Sequence, residues 1–289
     1  MREMTAKIID GRKIAKKIKK QLSDEIAEVH SKYNRVPHLT TITIGKDPAS
    51  ELYLKLRDNA CEDVGIKSTH VEFVHNVSET KILDTIHALN RDDHVHGILI
   101  QYPLPKQISP DRLMNAIEPD KDVEGFHPLN MGRTLIGDEH SVPCTPLAVL
   151  TILEYEHTKL QGKDIVIVNH STVVGKPLAA LFLNRDATVS VCHVFTKDLH
   201  QYTCNADILV TGAGVPKLIT KQHVKEGAFV IDVGIIPTKE GVTGDVDFHA
   251  VKERAEKITP VPGGVGPVTI ACSLHNLTKI FKTSMGHDE

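Results

Sequence analysis

"VIVNHSTVVGKPLA", residues 166–179, sets a short apolar run, a polar loop and the start of a helix in immediate succession. A buried strand that turns and hands over to a helix is the repeating unit of a parallel α/β sheet. A helix N-terminus formed this way offers free N–H groups to a phosphate. The loop lacks GxGxxG, so on its own pattern an ordinary βα turn is an equal reading. Position supplies the support. "TGAG" (211–214) and "DVGI" (232–235) end two further apolar runs, "DILVTGAG" and "AFVIDVGI". Open parallel sheets bind ligands outside the carboxyl ends of their strands, so three such glycine turns favour a nucleotide site.

The same alternation extends toward the N-terminus. "LTTITIG" (39–45) and "THVEFV" (69–74) have the β-branched, short or alternating character of strands. "ASELYLKLRDNACEDVG" (49–65) and "SETKILDTIHALNRD" (78–92) read as the helices between them, the second with Ser78 as N-cap and Ile82, Ile86 and Leu89 at helical spacing. "HGILIQYPLP" (96–105) is a nearly continuous apolar run closed by prolines, as a buried parallel strand requires. An amphipathic helix precedes all of these, with Ile14, Ile18, Leu22 and Ile26 recurring every fourth residue. "GFHPLNMGRTLIGDEHSVPCTP" (125–146), rich in Gly, Pro and polar residues, interrupts the rhythm and marks a domain boundary. The helix "TPLAVLTILEYEH" follows it, with Pro146 in its first turn. The expectation is two α/β domains with parallel sheets and a cleft between them. Residues 1–145, completed by a helix over 268–289, form one; residues 146–267 form a Rossmann-like dinucleotide-binding domain.

With 289 residues, 40% hydrophobic and 25% charged, the composition is that of a soluble globular protein. A net charge of −3 gives no electrostatic reason to expect nucleic acid or an acidic membrane surface. No apolar run approaches the ~18 residues of a membrane span, and the start lacks a signal peptide's apolar core, so a cytoplasmic location is expected. Cys61, Cys144, Cys192, Cys204 and Cys272 are odd in number and form no CxxC pair, which points to buried free thiols. The 17 histidines show no HExxH or comparable spacing, so no metal site is expected.

Two cations follow Tyr53 in its helix, and they differ in chemistry. At 100° per residue, position i+4 lies about 40° from the tyrosine and i+2 about 200° away. Arg57 therefore shares the face of Tyr53, and Lys55 points elsewhere. In the second half, "VSVCHVFTK" ends a strand where an NAD-binding unit usually places an acid for the ribose hydroxyls. Here Cys192, His193 and Val194 stand instead, so nothing repels a 2′-phosphate, and His170, His193 and Lys197 are available to attract one.

"DPASELY", "GILIQYPLP", "PDKDVEGFHPLN", "PCTP", "VVGKP", "DVGI", "GDVDF" and "TPVPGGVGP" occur here in the order found in the bifunctional methylenetetrahydrofolate dehydrogenase/methenyltetrahydrofolate cyclohydrolase family. The chain resembles that family from "IIDGRKIA" to its last helix. The resemblance implies oxidation of methylenetetrahydrofolate to methenyltetrahydrofolate by NADP, with NAD the alternative, then hydrolysis to formyltetrahydrofolate. It also implies a homodimer in one-carbon metabolism and purine biosynthesis, with tetrahydrofolate derivatives bound between the domains.

Residue by residue, Tyr53 matches the aromatic that stacks on the folate's benzoyl ring, and Gln101 the glutamine that holds a catalytic lysine. That lysine is here Arg57, which stays charged where a buried lysine exchanges protons. Dehydrogenation is expected to survive the change. Hydrolysis is expected to weaken, or to be rescued by a displaced Lys55. Glu124 stands for an aspartate that hydrogen-bonds the pterin, and Tyr102 for a leucine. Pro262 and Gly263 belong to the loop "PVPGGVGP" that closes over the substrate. The cofactor set is Asn169, His170, Ser171, Gly175, His193, Thr196, Gly212 and Ile235. Asn169, His170 and Val194 replace the family's glycine, arginine and serine. A dehydrogenase without hydrolysis, and a non-catalytic nucleotide-binding protein of the same fold, are the rival readings.

Overall fold

The chain opens with a two-residue strand, β1 (Lys7–Ile8), and a long helix, α1 (Gly11–Tyr33), whose Ile14, Leu22 and Ile26 are buried. The computed structural model of the chain describes residues 5–239 and 241–286. Residues 287–289 of the expected closing helix lie outside them. Strands β2 (His38–Ile44), β3 (Lys67–Phe73) and β4 (Gly97–Ile100) form a parallel sheet in the order β3-β2-β4. The helices α2 (Pro48–Val64) and α3 (Glu79–Asn90) connect them, and α4 (Pro110–Ala116) and α5 (Pro128–Ile136) follow.

Local sequence sets these boundaries. Asp47 caps α2 by accepting from Ser50 N at 2.8 Å and Ser50 Oγ at 2.7 Å, satisfying N–H groups that a helix start leaves open. Gly65, at φ +84°, ends α2 in the left-handed conformation and donates back to Cys61 and Glu62 carbonyls. Ser78 caps α3 through Lys81 N. At Gly97 a Cβ would overlap the Val123 side chain and lie 2.6 Å from Leu277 Cδ1, so only glycine lets those residues pack on β4. α5 lies inside the stretch expected to be irregular. Its proline begins a helix without loss, because a first-turn N–H has no intrahelical partner.

A helix α6 (Cys144–Tyr155) leads into the larger sheet, where β5 (Asp164–Val168), α7 (Gly175–Leu183), β6 (Thr188–Cys192), α8 (Leu199–Thr203), β7 (Ile208–Thr211) and β8 (Phe229–Asp232) alternate. A small antiparallel hairpin, β9 (Ile236–Thr238) with β10 (Gly241–Thr243), follows, then α9 (Phe248–Val251), β11 (Lys257–Ile258) and the closing helix α10 (Val265–Ser284). The sheet is parallel throughout, in the order β1-β11-β8-β7-β5-β6. Strand order reverses at β5, whose neighbours β6 and β7 lie on opposite sides; such a switch point is where doubly wound sheets hold ligands.

The chain divides into two units. A three-stranded unit comprises residues 16–133, 139–144 and those from Ile270 onward. A six-stranded unit comprises residues up to Ala15, 134–138 and 145–269. The first N-terminal strand thus belongs to the larger sheet, a pairing that two residues of sequence carry too little pattern to announce. In the three-stranded unit, Leu22 and Ile26 of α1 share a core with Leu39, Leu99 and Val123 and with Leu274, Leu277 and Ile280 of α10. The six-stranded core joins Val166, Leu209, Val230 and Ile258 from four adjacent strands. Four of the five cysteines are buried and all are free thiols. No helix among the described residues is long and apolar enough to cross a membrane.

Candidate active site

In α2 the helical period places Arg57 beside Tyr53 as its spacing dictates, with the guanidinium carbon 5.5 Å from the ring centroid. Arg57 is 2% exposed, Tyr53 is half-buried and Lys55 is exposed. Gln101, just past β4, accepts from Arg57 Nη2 at 2.9 Å through its side-chain oxygen. Arginine can only donate, so the amide must present its oxygen there and its nitrogen elsewhere. Gln101 Nε2 indeed donates to the Tyr102 carbonyl at 2.9 Å, a carbonyl that also accepts from Ser50 Oγ. Gln101 also lines a cavity of about 260 Å³ with Thr43, Lys46, Ser50 and Pro103, at the carboxyl ends of β2 and β4.

Glu124 is held by a rigid turn. Asp122, itself 2% exposed, accepts from His127 N at 2.8 Å and Asn130 Nδ2 at 3.0 Å, while its carbonyl accepts from Ser141 Oγ. Gly125 follows at φ +70°, where a Cβ would lie 2.6 Å from the Val142 carbonyl carbon. The Glu124 carboxyl points inward, and its Oε2 is buried without a hydrogen-bond partner; so is Arg57 Nε. Burial pushes the Glu124 carboxyl up to about 7, against the pull of Arg57 and with a further push from Asp122. Burial likewise raises the phenols, Tyr53 with Arg57 opposing and Tyr102 to about 12, and holds the Cys144 thiol well above its usual value. Lys55, expected to stand in as a displaced lysine, is on the outer face of α2 and is not brought to Gln101 or Glu124; the two-residue offset carries it half a turn away.

The six-stranded unit assembles a second cluster at its switch point. The Asn169 amide, at the end of β5, donates to the Gly212 carbonyl at 2.6 Å. Its oxygen accepts from Ser171 N and Oγ at 2.8 Å and Gly175 N at 3.1 Å. Both ends of this side chain are engaged by protein, so Asn169 shapes the loop between β5 and α7. A Cβ at Gly175 would run into the Asn169 carbonyl, and one at Gly212 would lie 3.5 Å from the Asn169 amide nitrogen. Glycine therefore permits the tight approach of α7 to β5. At the end of β6, the exposed His193 ring lies 4.9 Å from that of His170, and Thr196 Oγ1 accepts from His193 N at 2.9 Å. Ile235 is 63% exposed just beyond β8. Pro262 and Gly263 also belong to this unit; Gly263 has φ +103° and a Cβ there would lie 3.2 Å from the Arg12 guanidinium carbon.

Sequence reasoning named neither Asp232 nor Asp245, which shape this cluster. Asp245 accepts from Thr211 Oγ1 at 2.9 Å, from Val215 N at 3.0 Å and from Ala213 N. Asp232 accepts from Gly234, Asp245 and Val246 backbone N–H groups. Burial raises Asp232 to about 6, with those donors opposing and Asp245 adding to the rise. The advance signs of the pair are "DVGI" and "GDVDF", each of which sets one of the two close to a glycine. A cradle this close to backbone, at a switch point and a helix N-terminus, fits the pyrophosphate of a dinucleotide.

Comparison with known proteins matches residues 9–124 to the catalytic domain of tetrahydrofolate dehydrogenase/cyclohydrolase and residues 143–285 to its NAD(P)-binding domain. The chain is 50% identical to the bifunctional protein FolD of Methanosarcina barkeri, over 96% of this chain and 97% of that one. It is similar in structure to the bifunctional methylenetetrahydrofolate dehydrogenase/cyclohydrolase FolD of Campylobacter jejuni, at 44% identity and TM-score 0.94, covering 96% and 99% of the two chains. A Trypanosoma brucei dehydrogenase-cyclohydrolase, solved with NADP cofactor and inhibitor, matches at 37% identity and TM-score 0.94, covering 97% and 99%.

Proposed function

The chain belongs to the tetrahydrofolate dehydrogenase/cyclohydrolase family, and we propose that it oxidises methylenetetrahydrofolate with NADP and hydrolyses the methenyl product to formyltetrahydrofolate. The observation that carries this reading is the pair of buried, unpartnered polar atoms, Arg57 Nε and Glu124 Oε2, in one cluster with Tyr53 and Gln101. An unmet buried donor or acceptor costs about 1–3 kcal/mol, so the pair suits the lining of a site whose ligand supplies the missing partners. Pterin N–H donors suit the carboxyl of Glu124, and the Tyr53 face suits the benzoyl ring.

Oxidation turns the methylene carbon into a cationic amidinium as a hydride leaves. Glu124, when ionised, offsets that growing charge, while Gln101 holds Arg57 so that the guanidinium neither wanders nor repels it at random. A bound nicotinamide supplies the hydride acceptor. Asn169, Ser171, Gly175 and Gly212 would hold its dinucleotide, with His170 and His193 beside the 2′ position of the ribose. No acid follows β6 before Asp198, so NADP is the cofactor of this proposal and NAD its alternative. The enzyme would act as a cytosolic homodimer in one-carbon metabolism and purine biosynthesis, a reading supported by family membership and by a net charge of −3 that favours neither nucleic acid nor membrane.

Purified enzyme mixed with methylenetetrahydrofolate should reduce NADP, followed by reduced-nicotinamide absorbance. Failure with both NADP and NAD would sink the reading.

A further inference from the structure

We propose that Asn276 of α10 is a positioning residue for folate binding, acting through the backbone on either side of Glu124. The proposal rests on the reading above, that the Glu124 carboxyl meets the N–H donors of a pterin. A group that recognises a ligand must stand within about 0.5 Å of its productive place. Glu124 Oε2 has no hydrogen bond within the protein to hold it there. Its placement therefore falls to the backbone that carries it.

Two segments meet around that backbone, 122–125 and 141–144. Ser141 Oγ donates to the Asp122 carbonyl at 2.6 Å, and a Cβ at Gly125 would lie 2.6 Å from the Val142 carbonyl carbon and 2.7 Å from Pro143 N. Asn276 joins the two segments from the helix. Its Nδ2 donates to the Val123 carbonyl at 2.9 Å and to the Val142 carbonyl at 2.8 Å. An amide nitrogen carries two N–H groups, so both are spent on this clasp. The Val123 carbonyl shares a planar peptide unit with the Glu124 nitrogen. A hydrogen bond to that oxygen thus fixes the direction in which the Glu124 side chain leaves the chain.

Packing alone does not call for an amide at this position. Asn276 is 2% exposed, and its neighbours Leu274, Leu277 and Ile280 on the same helix share an apolar core with Val123. A buried amide is costly unless its donors are met, and here the partners that meet them flank Glu124. The Cys144 thiol also donates to the Val123 carbonyl, at 3.4 Å, but a thiol is a weak donor and leaves the amide as the main restraint. The helix itself is fixed to the sheet. Leu277 and Val123 both occupy the space that Gly97 leaves open on β4, and Gln101, the partner of Arg57, follows the same strand. Asn276 therefore sets Glu124 in register with the Gln101–Arg57 pair.

The test is a double-mutant cycle on the full-length chain, with tetrahydrofolate and NADP each titrated by calorimetry. Asn276→Ala should weaken tetrahydrofolate binding about tenfold or more and leave NADP binding within about twofold. In a Glu124→Ala background the same change should cost tetrahydrofolate less than about twofold, because the group that Asn276 positions is already gone. A merely structural role predicts losses that multiply. Thermal unfolding verifies that each variant is folded at the assay temperature. Should Asn276→Ala not fold, Asn276→Ser, which keeps one donor, takes its place in the cycle. Multiplied losses, an equal loss of NADP, or full tetrahydrofolate affinity in a folded Asn276 variant would overturn the proposal. An unchanged chain that binds no tetrahydrofolate would sink the folate reading and this proposal with it, whereas binding with multiplied losses would sink the role of Asn276 alone.

Discussion

In the three-stranded unit two buried polar atoms of the Tyr53 cluster, Arg57 Nε and Glu124 Oε2, neither accept nor donate a hydrogen bond within the protein, whereas in the six-stranded unit all four carboxylate oxygens of Asp232 and Asp245 accept from the protein itself. Both clusters are buried and both carry carboxylates. They differ in what completes them. On the proposed reading, the first is finished by a ligand's own donors. The second is finished by backbone, so its side chains fix the shape of turns and leave the backbone and glycine gaps to meet the ligand.

The comparison is most sharply broken by removing a carboxylate from the completed cluster. Asp245→Ala strands Thr211 Oγ1 and the N–H groups of Ala213 and Val215, each at about 1–3 kcal/mol, and should destabilise the protein by about 3 kcal/mol or more in denaturant unfolding. Binding of NADP, titrated by nucleotide fluorescence, should weaken with it. A neutral result would mean these oxygens are not structural. Next in size, Gly175→Ala drives a methyl into the Asn169 carbonyl and should cost about 1–3 kcal/mol while weakening cofactor far more than folate. Equal loss of both ligands would deny that the loop belongs to the nucleotide alone.

These residues also mark how far sequence reasoning reaches. The faces of α2 follow from a fixed 100° per residue, so Arg57 beside Tyr53, and Lys55 away from it, were legible from spacing. The parallel strands and glycine turns were legible from apolar runs and their punctuation. Asp245 was not, because its three donors come from residues 211–215, thirty or more positions earlier, and only the closed sheet brings them together. Asn169 illustrates the same limit. Its place in the loop is evident from sequence, but whether the amide faces ligand or clasps Gly212 depends on β7 lying next to β5. Glu124's unmet oxygen likewise results from a turn set by Asp122, Asn130 and Ser141, which no periodicity encodes.

The open cluster should respond with the opposite sign. The Glu124 carboxyl is raised from 4.5 to about 7 in the folded chain. Between those values the folded state holds more protons than the unfolded, so stability falls as pH rises through that window. Glu124→Gln removes the titration. Its enzyme should match the unchanged chain near pH 4.5 and exceed it at pH 8 by on the order of 1–2 kcal/mol, after allowance for partial exposure. Thermal unfolding at the two pH values checks this. A variant less stable at pH 8 would mean the carboxylate is satisfied in the free protein after all, and the contrast between the clusters would disappear.

The smallest expected effect concerns Lys55. Lys55 is exposed on the face of α2 opposite Arg57, and exposed substitutions away from packed or bonded groups stay within about 0.5 kcal/mol. Lys55→Ala should therefore unfold with the unchanged chain and hydrolyse methenyltetrahydrofolate at the same rate within about twofold, since no proton can pass from an amine half a turn away without displacing the helix. If hydrolysis collapses while folding is intact, the lysine reaches the substrate by a movement of α2 that this arrangement does not contain.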